Sequence, residues 1–201
     1  MQPRPDCKAA RAASDALHAI RTLEKAVENC GLEQSLIALV KTRVSQINGC
    51  ACGIRLHASQ ARAHGETEER LYLLHAWRDA AAPYTCRERA ALAWSEALTL
   101  VAGTHATDGV YQQVREQFSD EELAKLTLLV GTANLWDRLA IGFRPAARAT
   151  ARTSEALPGG AATVAVSRRS GARAKSAGLE GLCEDGVPHD ADQLFQVAEG
   201  D

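Results

Sequence analysis

From about residue 8 to residue 143, apolar side chains recur at three- and four-residue intervals and no stretch alternates with a period of two. This pattern predicts a succession of α-helices with short joints. The first spans about residues 8 to 30 and stops at Gly31, where a glycine is well placed to take the left-handed conformation that ends helices. The second, "LEQSLIALVKTRVSQIN", ends at Asn48-Gly49. The third carries Cys50 and Cys52 and runs to His64, with Gly65 after it. A fourth begins at Thr67 and places Leu71, Leu74 and Trp77 on one face. Thr85 and Glu88 form a T-x-x-E capping box ahead of a stripe of Ala91, Trp94, Leu98 and Val101. Asp108 is expected to cap a short helix ending near Phe118. Ser119 and Glu122 form a second box, opening "DEELAKLTLLVGTANLWDRLAIGF". That last helix is apolar on more than one side, which predicts burial in a core or a subunit contact.

Composition changes the picture after Phe143. The stretch "RPAARATARTSEALPGGAATVAVSRRSGARAKSAGLEG" has almost no large apolar residues and cannot bury enough to offset its ordering entropy. The chain therefore divides into a helical domain, residues 1–145, and a low-complexity tail, 146–201, expected to be disordered. Within the tail, Arg168, Arg169, Arg173 and Lys175 precede Glu184, Asp185, Asp190 and Asp192. Without aromatic interleaving, this basic stretch reads as a solvated segment and not as a nucleic-acid arm. The whole chain of 201 residues carries 23 Lys plus Arg against 25 Asp plus Glu, a net charge of -2, so no global field favours nucleic acid or an anionic membrane. The opening "MQPRPDCKAARAASD" lacks the apolar region of a secretory signal, and no run approaches the roughly 18 residues of a membrane span. These features lead to the expectation of a cytoplasmic protein. Its six cysteines, Cys7, Cys30, Cys50, Cys52, Cys86 and Cys183, are spaced too irregularly for a secreted disulfide framework.

Candidate chemistry concentrates in "NGCACGIRLH", Asn48 to His57. Cys50 lies near a helix N-terminus, where unpaired N–H groups and the positive dipole end favour thiolate, which marks it as the reactive residue. His57 shares its face but sits about 10.5 Å along the axis of a regular helix, while Cys52 points about 140° away from the histidine. Residues two apart in a helix fall within disulfide range, but their side chains diverge, so a Cys50–Cys52 bond would be strained and easily reduced. The pair can be read as a redox couple or as two inert thiols. Zinc is a third reading, since Cys50, Cys52, His57 and His64 supply suitable atoms, but C-x-C on one helix is not the usual ligand hairpin. His18 and His75 read as surface or satisfied core residues. Glu96 lies away from Trp94 on its helix as a solvated or interface carboxylate, able to serve His57 only if folding brings the two together. Cys7, Cys30, Cys86 and Cys183 have no local partner. No Gly-rich phosphate loop and no Ser-His-Asp order is present.

The segments "LVKTRVSQINGCACGIRLHASQARAHGETEERLYLLHAWRDA", "RERAALAWSEALTLV" and "FSDEELAKLTLLVGTANLWDRLAIGFRP" resemble the carboxymuconolactone decarboxylase family, and within it the AhpD-like alkylhydroperoxidases, over about residues 5 to 145. The resemblance implies an all-α, multi-helix bundle assembled as a homo-oligomer, a thiol peroxidase acting on a small-molecule hydroperoxide, and regeneration by a dithiol or protein reductant. It implies no metal and no cofactor. The family's site has a cysteine, two residues, a second cysteine, three residues and a histidine, with a glutamate on the preceding helix. Cys50 and His57 match this pattern. Gly53 stands where the second cysteine belongs, with Cys52 one position earlier, and Ala38 stands where the glutamate belongs. A thiol at position 53 would lie only about 40° around the helix from His57. Gly53→Cys and Ala38→Glu are therefore expected to restore activity, with Cys50, Cys52 and His57 as the catalytic set meanwhile. The alternatives are a non-catalytic oligomeric scaffold, a peroxide-sensing homologue, and the lactone decarboxylation that names the family.

Overall fold

A computed structural model describes residues 13–80 and 83–144, which all belong to one compact unit. The expected tail, 146–201, and Cys7 and Cys183 lie outside the described residues. Among the described residues eight α-helices follow one another: α1 Ser14–Glu28, α2 Gln34–Asn48, α3 Ala51–Ala63, α4 Glu68–Leu73, α5 Cys86–Thr99, α6 Val101–Thr104, α7 Asp108–Arg115 and α8 Asp120–Phe143. A single 3-10 turn, Leu74–Ala76, extends α4. No strand occurs among the described residues.

The starts of the helices follow from local hydrogen bonding. Thr85 Oγ1 accepts from the Glu88 backbone N–H at 3.2 Å while Glu88 Oε2 accepts from the Thr85 N–H at 2.7 Å. Ser119 and Glu122 repeat the box ahead of α8, at 3.3 and 2.8 Å. Each box satisfies two N–H groups that a helix start otherwise leaves without partners. Asp108 is not a cap: it is the first residue of α7, with Thr107 at the N-cap making no side-chain bond.

Helix α2 lies at the centre, packed against α3, α5 and α8, and nine of its fifteen residues are buried. Leu36, Ile37, Val40 and Val44 join Ala91 and Trp94 of α5 and Leu126, Leu129 and Val130 of α8 in the main core. Leu39, on another side of α2, meets Leu74, Trp77 and Leu92 in a second cluster. A helix enclosed this way loses its polar face, which explains why α2 lacks a strict single stripe.

The expected stripe of α5 continues only through Leu98. The helix ends at Thr99, and Val101 is half exposed on a separate short helix that closes with His105 and Ala106 at positive φ. On α8, Leu128, Leu135, Ile141 and Phe143 stay exposed while Leu126, Leu129, Val130 and Ala133 are buried, so both aspects of its apolar surface are real. No helix among the described residues is long and apolar enough to cross a membrane.

The packing of α8 sets an expected hierarchy of costs. Leu126→Ala, which empties a fully buried site, lowers stability by about 3 kcal/mol. Ser119→Ala, which removes one cap, lowers it by about 1 kcal/mol. Urea denaturation of the two variants beside the parent checks both the size and the order.

Candidate active site

The junction between α2 and α3 fixes the central cysteine from both sides. Gly49 closes α2 at φ +67°, a left-handed conformation that suits a residue without Cβ. Its N–H donates to the Gln46 carbonyl at 3.2 Å and the Cys50 N–H donates to the Ser45 carbonyl at 2.9 Å, the paired bonds of a Schellman motif. Cys50 then serves as the N-cap of α3, its Sγ accepting from the Gly53 N–H at 3.4 Å. Backbone chemistry at the end of one helix and the start of the next thus aims one sulfur inward.

That sulfur, only 2 % exposed, lines a cavity of about 20 Å³ together with His57, Glu24, Lys41, Gly53, Trp136 and Asp137. The space is about that of one water-sized molecule. A sequence reading of Cys50 as a helix-activated thiolate identifies the right donor but is overruled by burial. Desolvation, outweighing the Gly53 N–H, and to a smaller extent the neighbouring Asp137 carboxylate together push the thiol up to about 12. At neutral pH Cys50 is a thiol.

His57 is held neutral. Burial, and then the charge of Lys41, lower it to about 3, against a smaller opposing effect of Gln60. Its Nδ1 lies 3.0 Å from Gln60 Oε1, which assigns the proton to Nδ1 and leaves Nε2 as the acceptor nitrogen. Lys41 is ion-paired, with Glu24 at 3.2 Å and with Glu28.

Asp137, reaching in from α8, is the main constituent that sequence reasoning missed. It is 3 % exposed, and its oxygens accept from Ser45 Oγ at 3.0 Å and Asn48 Nδ2 at 2.9 Å. The Asn48 amide also bonds Asn134 Oδ1 at 3.0 Å, and Asn134 in turn donates to Thr99 Oγ1 at 3.1 Å. A signal was available: Asp137 follows Val130 and Ala133 by seven and four positions, on the buried stripe of an apolar helix. Glu24 on α1 and Lys41 on α2 carry the same mark, each sitting among buried apolar neighbours at helical spacing.

The other sequence-predicted residues spread out. Cys52 is half-buried on α3 and forms no disulfide with Cys50; Cys30 and Cys86 are also free. His64 caps the far end of α3 and lines a separate cavity of about 260 Å³ with Ala38, Lys41 and Gln60. No group of three or more His, Cys, Asp or Glu side chains is placed to hold a metal among the described residues. Glu96 is largely buried and is not among the residues lining the His57 cavity. It accepts from Trp77 Nε1 at 2.8 Å and pairs with Arg43 and Arg78, and although burial opposes this, those bonds keep its carboxyl below the usual range. His18 and His75 are exposed.

Position 53 does not accept the thiol that the helical wheel invites. A Cβ on Gly53 would stand 2.3 Å from Ser45 Oγ and 2.6 Å from Asp137 Oδ1, so the Ser45 hydroxyl and the Asp137 carboxylate together fill the space a side chain there would need. Gly53→Ala or Gly53→Cys is accordingly expected to lower stability by about 1 to 3 kcal/mol, measured by urea denaturation, instead of restoring a site. A further expectation concerns acid. Because folded His57 stays neutral down to about pH 3 while the unfolded residue protonates near 6.5, its contribution to stability is complete above pH 6.5 and is lost as pH falls toward 3. The slope reaches about 1.4 kcal/mol per pH unit, and denaturation midpoints across that window flatten in His57→Asn.

Comparison with known proteins places this geometry. Residues 14–97 match the Carboxymuconolactone decarboxylase family. The uncharacterised protein YdfG of Bacillus subtilis (strain 168) is 38% identical over 131 residues, 65% of this chain and 88% of YdfG. A crystal structure from Agrobacterium tumefaciens, of a protein of unknown function assigned provisionally to antioxidant defence as AhpD, superposes with a TM-score of 0.66 at 40% identity. The match covers 71% of this chain and 96% of that one. Relatives covered almost end to end at this identity, sharing an all-helical architecture, establish that the chain belongs to the carboxymuconolactone decarboxylase family and has an AhpD-like fold.

Proposed function

We propose that the protein is a slow, thiol-dependent hydroperoxide reductase acting through Cys50. The observation that carries this reading is the placement of one buried sulfur, at a doubly capped helix junction, on the wall of a small cavity shared with His57 and Asp137. The antioxidant assignment of the Agrobacterium tumefaciens relative supports it. Cys50 Sγ attacks the terminal oxygen of the hydroperoxide, the O–O bond breaks, and the departing oxygen leaves as the alcohol after taking a proton. Cys50 becomes a sulfenic acid. The thiol of Cys52 then attacks that sulfur, releasing water and forming a disulfide that an external dithiol or protein reductant reopens. The strained geometry of this i, i+2 pair keeps the disulfide easily reduced.

A second reading is a non-catalytic oligomer, supported by the burial that keeps Cys50 protonated. In both readings, association through the exposed Leu128, Leu135, Ile141 and Phe143 of α8 accounts for apolar surface that a monomer leaves in water. Both also place the protein in a reducing cytoplasm, where its thiols stay free.

Turnover of tert-butyl hydroperoxide with dithiothreitol separates the two. Cys50→Ser is expected to abolish peroxide consumption. Cys52→Ser is expected to retain a single oxidation of Cys50, trapped as a dimedone adduct, while losing most of the steady-state rate. Equal consumption by the parent and Cys50→Ser would refute the reductase, and no consumption by either would favour the scaffold.

A further inference from the structure

We infer that Asp137 is the proton acceptor for Cys50, so that the nucleophile is activated by a carboxylate from α8 and not by a second thiol or by His57. The inference rests on the peroxidase reading of Cys50 and deepens it.

Position is the first argument. Asp137 lines the same small cavity as the reacting sulfur, and its orientation is set by two donors on α2, Ser45 Oγ and Asn48 Nδ2. Those bonds leave lone-pair capacity on a carboxylate that has about four acceptor sites. The absence of a side chain at Gly53 is what admits it, because a Cβ there would meet Oδ1 at 2.6 Å. The bare backbone at position 53 therefore leaves room for a base on the cavity wall.

The alternative acceptors fare worse. His57 would have to become an imidazolium in a buried site that also holds the Lys41 ammonium, and both factors oppose it. Glu24 lines the cavity but is already engaged by Lys41. Cys52 is a thiol on the same helix. Around Cys50, the charged and titratable groups are thus Glu24 from α1, Lys41 from α2, His57 and Cys52 from α3, and Asp137 from α8. Only the last is a cavity-lining acid whose hydrogen-bond donors are both neutral.

The step balances. As Cys50 Sγ attacks the terminal peroxide oxygen, its proton passes to Asp137, the O–O bond breaks, and the departing alkoxide takes that same proton from Asp137 to leave as alcohol. The sulfur is oxidised by two electrons to the sulfenic acid and the peroxide is reduced by two. Asp137 ends the cycle as a carboxylate.

A carboxylate beside a thiol can act in two opposite ways, and the test turns on the sign. As a fixed charge it suppresses the thiolate, so Asp137→Asn would speed reaction at neutral pH. As a proton acceptor it is needed there, so Asp137→Asn would slow it. The experiment follows oxidation of Cys50 by tert-butyl hydroperoxide in single turnover, trapped with dimedone and read by mass spectrometry, from pH 6 to 10 in the full-length protein. The parent is expected to show a rate independent of pH between about 6 and 8, rising above that as free thiolate contributes. Asp137→Asn is expected to react about a hundredfold more slowly at pH 7, with a rate climbing tenfold per pH unit and meeting the parent at high pH. Ser45→Ala keeps the carboxylate and removes one of the two donors that orient it in the cavity, so it is expected to lower the neutral rate several-fold, which tests the idea even if the Asp137 variant does not fold. An Asp137→Asn protein as fast as the parent at pH 7, or a Ser45→Ala rate unchanged from the parent, overturns the inference while leaving Cys50 as the nucleophile. Loss of the peroxidase reading itself would appear elsewhere, as unchanged peroxide consumption in Cys50→Ser.

Discussion

The buried carboxylate of Asp137 is the constraint around which the site is arranged. A carboxylate with almost no access to water must find its solvation in the protein, and here Ser45 and Asn48 supply it from the last turn of α2. Those two donors bracket the turn that delivers Cys50. The anion therefore fastens α8 onto the α2–α3 junction, and Asn48 extends the connection through Asn134 to Thr99 on α5. Three helices meet at one satisfied polar group inside an apolar core. Fully satisfied polar networks of this kind specify one arrangement, because every alternative packing strands a charge.

The electrostatic character of the cavity follows from the same enclosure. Burial holds Cys50 protonated and His57 neutral, so the two groups that would form a thiolate–imidazolium pair in an open site are both uncharged here. Their ordinary solution chemistry is inverted: the acid keeps its proton and the base refuses one. The remaining charges occur in compensated sets, Lys41 with Glu24 and Glu28, and Asp137 with its neutral donors. A second compensated set, Glu96 with Arg43 and Arg78 and the Trp77 indole, ties α2 and α5 to the chain after α4 without touching the cavity.

Much of the fold was legible because its determinants are local. Thr85–Glu88 and Ser119–Glu122 carry their own hydrogen-bond partners, and Gly31, Gly49 and Gly65 all take positive φ where helices were expected to stop. The limits appear where a distant element intervenes. The helix-terminal donor to Cys50 could be anticipated from its position, but the burial that outweighs it comes from helices distant in sequence that close around the cavity. Periodicity extended the α5 stripe to Val101, whereas the chain breaks at Leu100. At Gly53 the helical wheel is correct about direction and silent about what already stands there. Asp137, Glu24 and Lys41 were visible as charges on buried stripes, a pattern that marks a polar site inside a helical protein before any motif is consulted.

The close approach at Gly53 also bears on how such a sequence can change over generations. A side chain at 53 meets Ser45 first and then the Asp137 carboxylate, so a substitution there is tied to both. A larger residue at 53 therefore requires Ser45 on α2 and Asp137 on α8 to give way at the same time, so the tolerance of one position is set by side chains on two other helices.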